Sequence, residues 1–282
     1  MKIACVGAGL AGLAVTWHLL QRLGREVDLF DPGGIAGGAS GIASGLLHPF
    51  PGKQALLSWR AEEGMAASEE LLRVAEEALG RAVCARTGIL RADKGLWIPE
   101  GKTVFSALYL EGLWRACEKR GGKLVREKVG ALEELKEYDG VVVATGFETL
   151  RFPECAHLPL KKTPGQVLTC LWKEPLAYSI VADGHIALKE ERELCRVGST
   201  YEHGEALSTN VEQELKQKIA KFYPPVLDFE VVDVRSGVRI SPKLGYKPIV
   251  ESVAKNIWVF TGLGSRGMLY HALLGKEVAE KF

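Results

Sequence analysis

Neither sign of charge is in surplus: 36 Lys and Arg stand against 35 Asp and Glu, for a net charge of +1. That balance removes the bulk electrostatic reason for a nucleic-acid or membrane-surface partner. No window holds 18 uncharged apolar residues, so no membrane partner is expected. Six cysteines (Cys5, Cys84, Cys117, Cys155, Cys170 and Cys195) include no CxxC pair and no metal-like cluster. They read as small buried apolar residues in a reducing cytoplasm, with no bound metal. The first apolar residues, Ile3 to Val6, already read as a structural strand, so no signal peptide is expected. The 282 residues show no internal repeat and suit two intimately joined domains.

What the chain has is glycine in a particular place. Gly7, Gly9 and Gly12 sit between the apolar run Ile3 to Val6 and the helical pattern Leu10 to Leu23, and Asp31 closes the next apolar run. This order of strand, turn, helix, strand and acid holds the ADP half of a dinucleotide. Gly7 allows the tight turn, Gly9 lets backbone approach the pyrophosphate, and Gly12 lets helix and strand pack closely. The helix N-terminus offers free N–H groups to the phosphates. Asp31 stands where a carboxylate accepts the ribose hydroxyls.

Residues 32–52 are glycine-rich, yet interleaved with Ile35, Ile42, Leu46, Leu47 and Phe50, which a solvated linker does not carry. A second close approach of backbone to ligand explains both features. Helical spacing runs from Leu56 to Leu79 and from Val104 to Arg120, the latter stopped at Gly121-Gly122. Short strands are expected within Val83 to Trp97, at Lys123 to Lys128, and at Val141 to Ala144, a β-branched run suited to a buried parallel sheet. After Pro164-Gly165 the texture changes to alternating strands at 167–171, 180–181, 186–188 and 195–201, then a helix over 211–222. The tail returns to the first texture, with a strand at 257–261, a glycine loop at 262–267 and a closing helix.

These motifs carry a resemblance to the FAD-dependent D-amino-acid-oxidase-like (glycine oxidase-type) oxidoreductases over essentially the whole length. The opening G-x-G-x-x-G is Gly7 to Gly12, and the second loop A-S-G-x-x-S-G reads Ala39 to Gly45. Ala144-Thr145-Gly146 resembles the family's A-T-G strand end. Pro164-Gly165-Gln166 resembles its P-x-K-G-Q crossover, with the Lys displaced to Lys161 or Lys162. Gly237-Val238-Arg239 is similar to its G-x-R segment. Within the family, Gly198-Ser199-Thr200-Tyr201, Gly237-Val238-Arg239 and Gly262 to Gly267 are similar to oxidase domains that act on the wobble uridine of tRNA. Two departures stand out: Gly245-Tyr246-Lys247-Pro248 lacks the family's acid, and the chain is shorter than such oxidases usually are.

The resemblance implies an α/β fold, α+β overall: a Rossmann-like FAD-binding domain (1–50, 98–165 and 236–282) interrupted by a mainly antiparallel β substrate domain (51–97 and 166–235). It places FAD on Gly7, Gly9, Leu10, Ala11, Gly12 and Asp31, and on Ala39, Ser40, Gly41, Ser44, Gly45 and Leu46. It adds Thr145, Gly146, Gly262, Gly264, Ser265, Arg266, Gly267 and Met268. It implies oxidation of the C–N bond of a secondary amine or amino acid, with Arg239 anchoring a substrate carboxylate. His48, after the second loop, is a candidate beside the flavin or a packing residue before Pro49. Tyr201 and Tyr246 are candidates for the pocket wall or ordinary strand aromatics. Three alternatives stay open: a tRNA-modifying oxidase, a non-catalytic flavin-binding protein, and a nicotinamide-dependent dehydrogenase. The last leaves both later glycine loops without a purpose. Candidate tRNA contacts are Lys119, Arg120, Lys123, Arg126 and Lys128, the pair Lys161-Lys162, and the group Arg235, Lys243 and Lys247.

Overall fold

The computed structural model describes residues 1–200 and 207–282; Tyr201 lies outside the described residues. Strand Lys2–Val6 shows why its apolar run is unbroken. Ile3 and Cys5 enter one core, formed with helices Leu10–Leu20 and Gly267–Ala279, while Ala4 and Val6 enter a second core on the opposite face. A strand covered on both faces has no polar side to alternate with. It sits fourth in a six-stranded sheet ordered Ile249–Ala254, Ile257–Thr261, Gly140–Val143, Lys2–Val6, Glu26–Phe30, Lys123–Val125. Every pairing is parallel except that of the Ile249–Ala254 edge strand.

Small residues let the covering helices close on one another. A Cβ on Gly275 would lie 2.8 Å from the Ala14 Cβ, and one on Gly112 would lie 2.8 Å from the Ala75 carbonyl oxygen. Helix Ala61–Leu79, grouped by the sequence with the substrate segment, buries Leu71, Leu72 and Ala75 in this first core. It begins five residues later than the apolar spacing suggests. Leu56 and Leu57 are exposed in an irregular segment that ends at Arg60, whose φ is +49°.

The second sheet has seven strands, ordered Glu230–Pro242, Leu160–Leu171, Leu194–Gly198, Gly184–Leu188, Ser179–Ala182, Ile89–Arg91, Leu96–Ile98. Its pairings are antiparallel except one, Ser179–Ala182 with Ile89–Arg91. Val211, Leu215 and Ile219, at helical spacing on Val211–Ala220, seal one face over Leu168, Cys170 and Val197. A third, three-stranded sheet joins Leu46–Leu47, Lys102–Val104 and Cys84–Ala85. One strand runs much longer than the sequence suggests. Leu160–Leu171 begins seven residues before Val167 and contains Pro164. Only Glu230–Pro242 pairs with residues 160–166, so the missing N–H of Pro164 falls on the open side. Because Leu160 and Ile240 pack in the second core while Leu168 and Cys170 pack in the third, this strand pair ties the sheets together.

Candidate active site

The turn after Lys2–Val6 requires glycine. Gly7 has φ +110°, and a Cβ there would lie 2.4 Å from the Ala144 carbonyl oxygen. A Cβ on Gly9 would lie 2.8 Å from Ser40 Oγ, which itself accepts the Leu10 N–H at 3.2 Å. The two glycine loops are therefore bonded to each other at the start of the first helix. Leu10 and Ala11 line a cavity of about 520 Å³ there, where the positive end of the helix favours an anion.

Asp31 also lines this cavity. Its carboxylate accepts the Ala8 N–H at 2.8 Å and the Gly33 N–H at 2.9 Å, so it shapes the first loop from below. The cavity continues past Ala39, Ser40, Ser44, Gly45, Leu46, Thr145 and Gly146. It ends along Gly262, Gly264, Ser265, Gly267 and Met268, where helix Gly267–Ala279 begins. Two expected cofactor contacts sit behind the wall. A Cβ on Gly12 would lie 1.8 Å from the Gly7 oxygen and one on Gly41 2.1 Å from the Ala36 oxygen, so both glycines serve close packing. Arg266 lines a second cavity of about 330 Å³ with Lys161, Lys162 and Tyr246, its guanidinium 4.0 Å from the Tyr246 ring centroid.

The far wall is the second sheet, and the strand register explains its shape. Thr163 pairs with Arg239, Gly165 with Gly237, Val167 with Gly198, and Gly198 with His185. Paired residues and next-but-one residues share a face. Gly165 and Gly237 therefore leave an open patch on this face beside Arg239, while Val167, on the same face, and His185 close over Gly198. Added Cβ atoms show how close the surroundings are: 2.9 Å from Arg239 Nη1 at Gly165, 3.0 Å from His185 Nε2 at Gly198, and 2.6 Å from Ile42 at Gly237. Arg239 donates to Ser199 Oγ at 2.8 Å and to the Thr200 carbonyl at 3.4 Å. Among the described residues the buried Gln166 Oε1, on the same cavity, has no hydrogen-bond partner. A buried acceptor of this kind calls for a donor from a ligand.

His185 escapes sequence reasoning. Its Nε2 lies 2.6 Å from Ser44 Oγ of the second glycine loop, and both residues line the cavity. Burial, then the nearby Arg239, Lys218 and Arg196 cations, push its pKa down to about 3. The structure does not bring His48 to either cavity wall. His48 is buried in the Pro49 corner, where its Nδ1 accepts the Phe50 N–H at 3.3 Å. Burial and the Arg91 cation lower its pKa to about 4, as for a packing residue. Tyr246 is 70% exposed at the rim of the second cavity and does not line the first.

Among the described residues no group of three His, Cys, Asp or Glu side chains could hold a metal ion, and no helix is long and apolar enough to cross a membrane. All six cysteines are free and buried.

A parallel sheet with a glycine turn at a helix N-terminus, an acid on the following strand, and an antiparallel sheet over the same cavity defines a dinucleotide-dependent oxidoreductase. The chain matches the model of the DAO family of FAD dependent oxidoreductases over residues 2–93 and 53–281, and it belongs to that family. FAD is thus the cofactor, and the cavity brings together the backbone at Gly7 and Gly9, the Asp31 carboxylate and, at its far end, the loop at Gly262 to Met268. The chain is 25% identical to the tRNA 5-methylaminomethyl-2-thiouridine biosynthesis bifunctional protein MnmC of Maricaulis maris (strain MCS10), across 99% of this chain and 51% of that protein. It is 43% identical to the protein of the same name from Leptospira interrogans over 63 residues, 21% of this chain and 10% of that one. It therefore spans about half the length of the first of these relatives.

Glycine oxidase from Geobacillus kaustophilus has the same fold, with a TM-score of 0.84 at 19% identity over 99% of this chain and 95% of that one. Iminodiacetate oxidase from Chelativorans sp. BNC1 gives 0.80 at 17%, over 98% and 94%.

Replacing Asp31 by alanine removes the acceptor of the Ala8 and Gly33 amides that shapes the first glycine loop beside the cavity. The expected result is FAD bound at least about tenfold more weakly, or about 1.4 kcal/mol. The ratio of flavin to protein absorbance after gel filtration measures it. Wild-type occupancy would remove Asp31 from this role.

Proposed function

We propose that the chain oxidises the C–N bond of a small amine or amino acid that carries a carboxylate. The observation that carries this reading is the open patch at Gly165 and Gly237 beside Arg239, on the cofactor cavity. The absence of side chains at Gly165 and Gly237 admits a thin substrate between sheet and cofactor, and the guanidinium pairs bidentately with a carboxylate. Ser199 Oγ, bonded to Arg239, orients it. When bound, FAD supplies the two-electron acceptor. The N–H groups of the loop at 262–267 and the N-terminus of helix Gly267–Ala279 provide positive potential at the far end of the cavity. Names of structural neighbours, glycine oxidase and iminodiacetate oxidase, agree with this substrate class. Six buried free thiols suit a reducing cytoplasm.

The visible spectrum of the purified protein, before and after anaerobic addition of glycine or N-methylglycine, tests the reading. Bleaching of the flavin band is expected. A band that no small amine moves would favour a non-catalytic flavin-binding role.

A second reading has its own observation. The second cavity is lined by Lys161, Lys162, Arg239 and Arg266, with no acid among its described residues, and Tyr246 stands exposed at its rim. Cations interleaved with an exposed aromatic suit a nucleic-acid strand, and the MnmC relatives are named for a tRNA modification. On this reading the amine is attached to tRNA. Salt-dependent binding of tRNA is the expected mark, and its absence leaves the small-molecule reading alone.

A further inference from the structure

Arg239 bounds one side of the sheet face that Gly165 and Gly237 leave open, with Val167 on the same face. On the other side stands His185, on the same face of the sheet, its Nε2 2.6 Å from Ser44 Oγ. The guanidinium reaches over Gly165 and the imidazole over Gly198. Those two positions are one strand and two residues apart, or about 8 Å. That span accommodates an amino-acid unit with a hydrogen bond of about 2.9 Å at each end. A substrate held by its carboxylate on Arg239 thus presents its amine toward Ser44 and His185.

We propose that Ser44 and His185 form a proton relay that accepts the proton of the substrate ammonium, leaving the amine neutral for oxidation. This assignment rests on the amine-oxidation reading above. Oxidation of the adjacent C–H bond needs the nitrogen lone pair, which an ammonium lacks. In the relay an ammonium N–H proton passes to Ser44 Oγ as the Ser44 hydroxyl proton passes to His185 Nε2. One N–H bond breaks, one ring N–H bond forms, and the charge moves from substrate to imidazole. No electrons are exchanged in this step.

The surroundings make the relay responsive to substrate. The charged groups acting on His185 are cations from three elements: Arg239 on Glu230–Pro242, Lys218 on Val211–Ala220, and Arg196 on Leu194–Gly198. Lys218 is partly offset by Asp183 at 3.7 Å, and Arg196 donates to the Ala43 carbonyl of the cofactor loop. Burial and these cations keep the ring neutral and oppose its protonation while the site is empty. A carboxylate arriving on Arg239 cancels the largest of the charge effects, so His185 becomes more basic as its proton donor docks.

Anaerobic stopped-flow reduction of the flavin by N-methylglycine, from pH 6 to pH 10, tests the relay in wild type, His185→Gln and Ser44→Ala. Both variants are expected to reduce about 100-fold more slowly at pH 7. Their rates should climb about tenfold per pH unit until the free amine itself deprotonates, whereas wild type stays nearly flat. Methoxyacetate, a carboxylate without an amine, should perturb the flavin band with unchanged affinity in both variants, since Arg239 is intact. Variant profiles that parallel wild type overturn the relay, and so does a matching loss of methoxyacetate affinity, which would mark His185 as structural. A wild-type flavin that N-methylglycine and glycine both fail to reduce removes the underlying reading, a result separate from any variant effect.

Discussion

Arg239→Ala lowers kcat/KM for an amino-acid substrate by about 150-fold, or about 3 kcal/mol, as expected when a charge-assisted pair is lost in a closed slot. The loss has two parts. The substrate carboxylate must still leave water to reach the patch over Gly165, and it finds no partner there. Ser199 Oγ, which accepts from Arg239 at 2.8 Å, also loses its donor. FAD occupancy should stay at the wild-type level, because the phosphate end of the cavity is built from the opposite sheet. Arg239→Lys should recover little, since one ammonium cannot reproduce the forked contact to carboxylate and Ser199 together. Steady-state kinetics at low substrate concentration, with the flavin absorbance ratio as the occupancy control, measure both. Unchanged kcat/KM in Arg239→Ala would remove Arg239 as the anchor.

The second large effect is on stability in mild acid. Four histidines are held as neutral rings, His48 and His271 buried and His18 and His185 partly buried. Burial is the first cause in each case, lowering His18, His48 and His271 to about 4 and His185 to about 3. In the unfolded chain these rings return to about 6.5. Above that value both states are neutral, and the stability is complete. As the pH falls below it, the unfolded chain takes up protons that the folded chain refuses, so stability declines until the folded values near 4 are reached. Each ring contributes about 1.4 kcal/mol per pH unit in that window, and four together about 5 kcal/mol per unit. A total stability of about 5–15 kcal/mol does not survive this for long. Urea midpoints should be level from pH 7 to pH 8 and fall steeply from pH 6.5 to pH 5, with FAD held saturating throughout. A midpoint at pH 5 equal to that at pH 7.5 would show that the rings accept protons in the folded state.

The cofactor half of the site was legible because its chemistry is local. Gly7, Gly9 and Asp31 act within 25 residues of one another, and each has a physical requirement that few residue types meet. The second loop was legible for a similar reason, since glycines interleaved with apolar residues do not suit a solvated linker. The substrate half was not. Gly165, Gly198, Gly237 and His185 meet only through the pairing of four strands drawn from 160–242. No spacing along the chain announces a shared face across strands. His185 is one polar residue before the alternating Ile186 to Leu188, and only register aims it at the cavity. Strand Glu230–Pro242 was missed because Glu230, Asp233, Arg235 and Ser236 break its alternation; as a sheet edge it carries charge that a central strand would not. Of the two readings open for His48 the structure favours packing, because closeness in sequence to the second loop is not closeness to the cavity: the chain turns at Pro49 and buries the ring.

The cofactor cavity is closed by residues from both extremes of the numbering, Gly7 to Leu46 on one side and Gly262 to Met268 on the other. During synthesis, at about 5–20 residues per second, the first glycine turn waits about 10–50 s for the last loop. The central strand Lys2–Val6 meanwhile lacks Gly140–Val143 on one side, and the first helix lacks Gly267–Ala279. Until residues 262–268 have been made, then, the nascent chain has no complete FAD site. Flavin capture is a late event, and a nascent chain truncated before residue 262 exposes the apolar seam of its first helix, a ready target for chaperones and proteases.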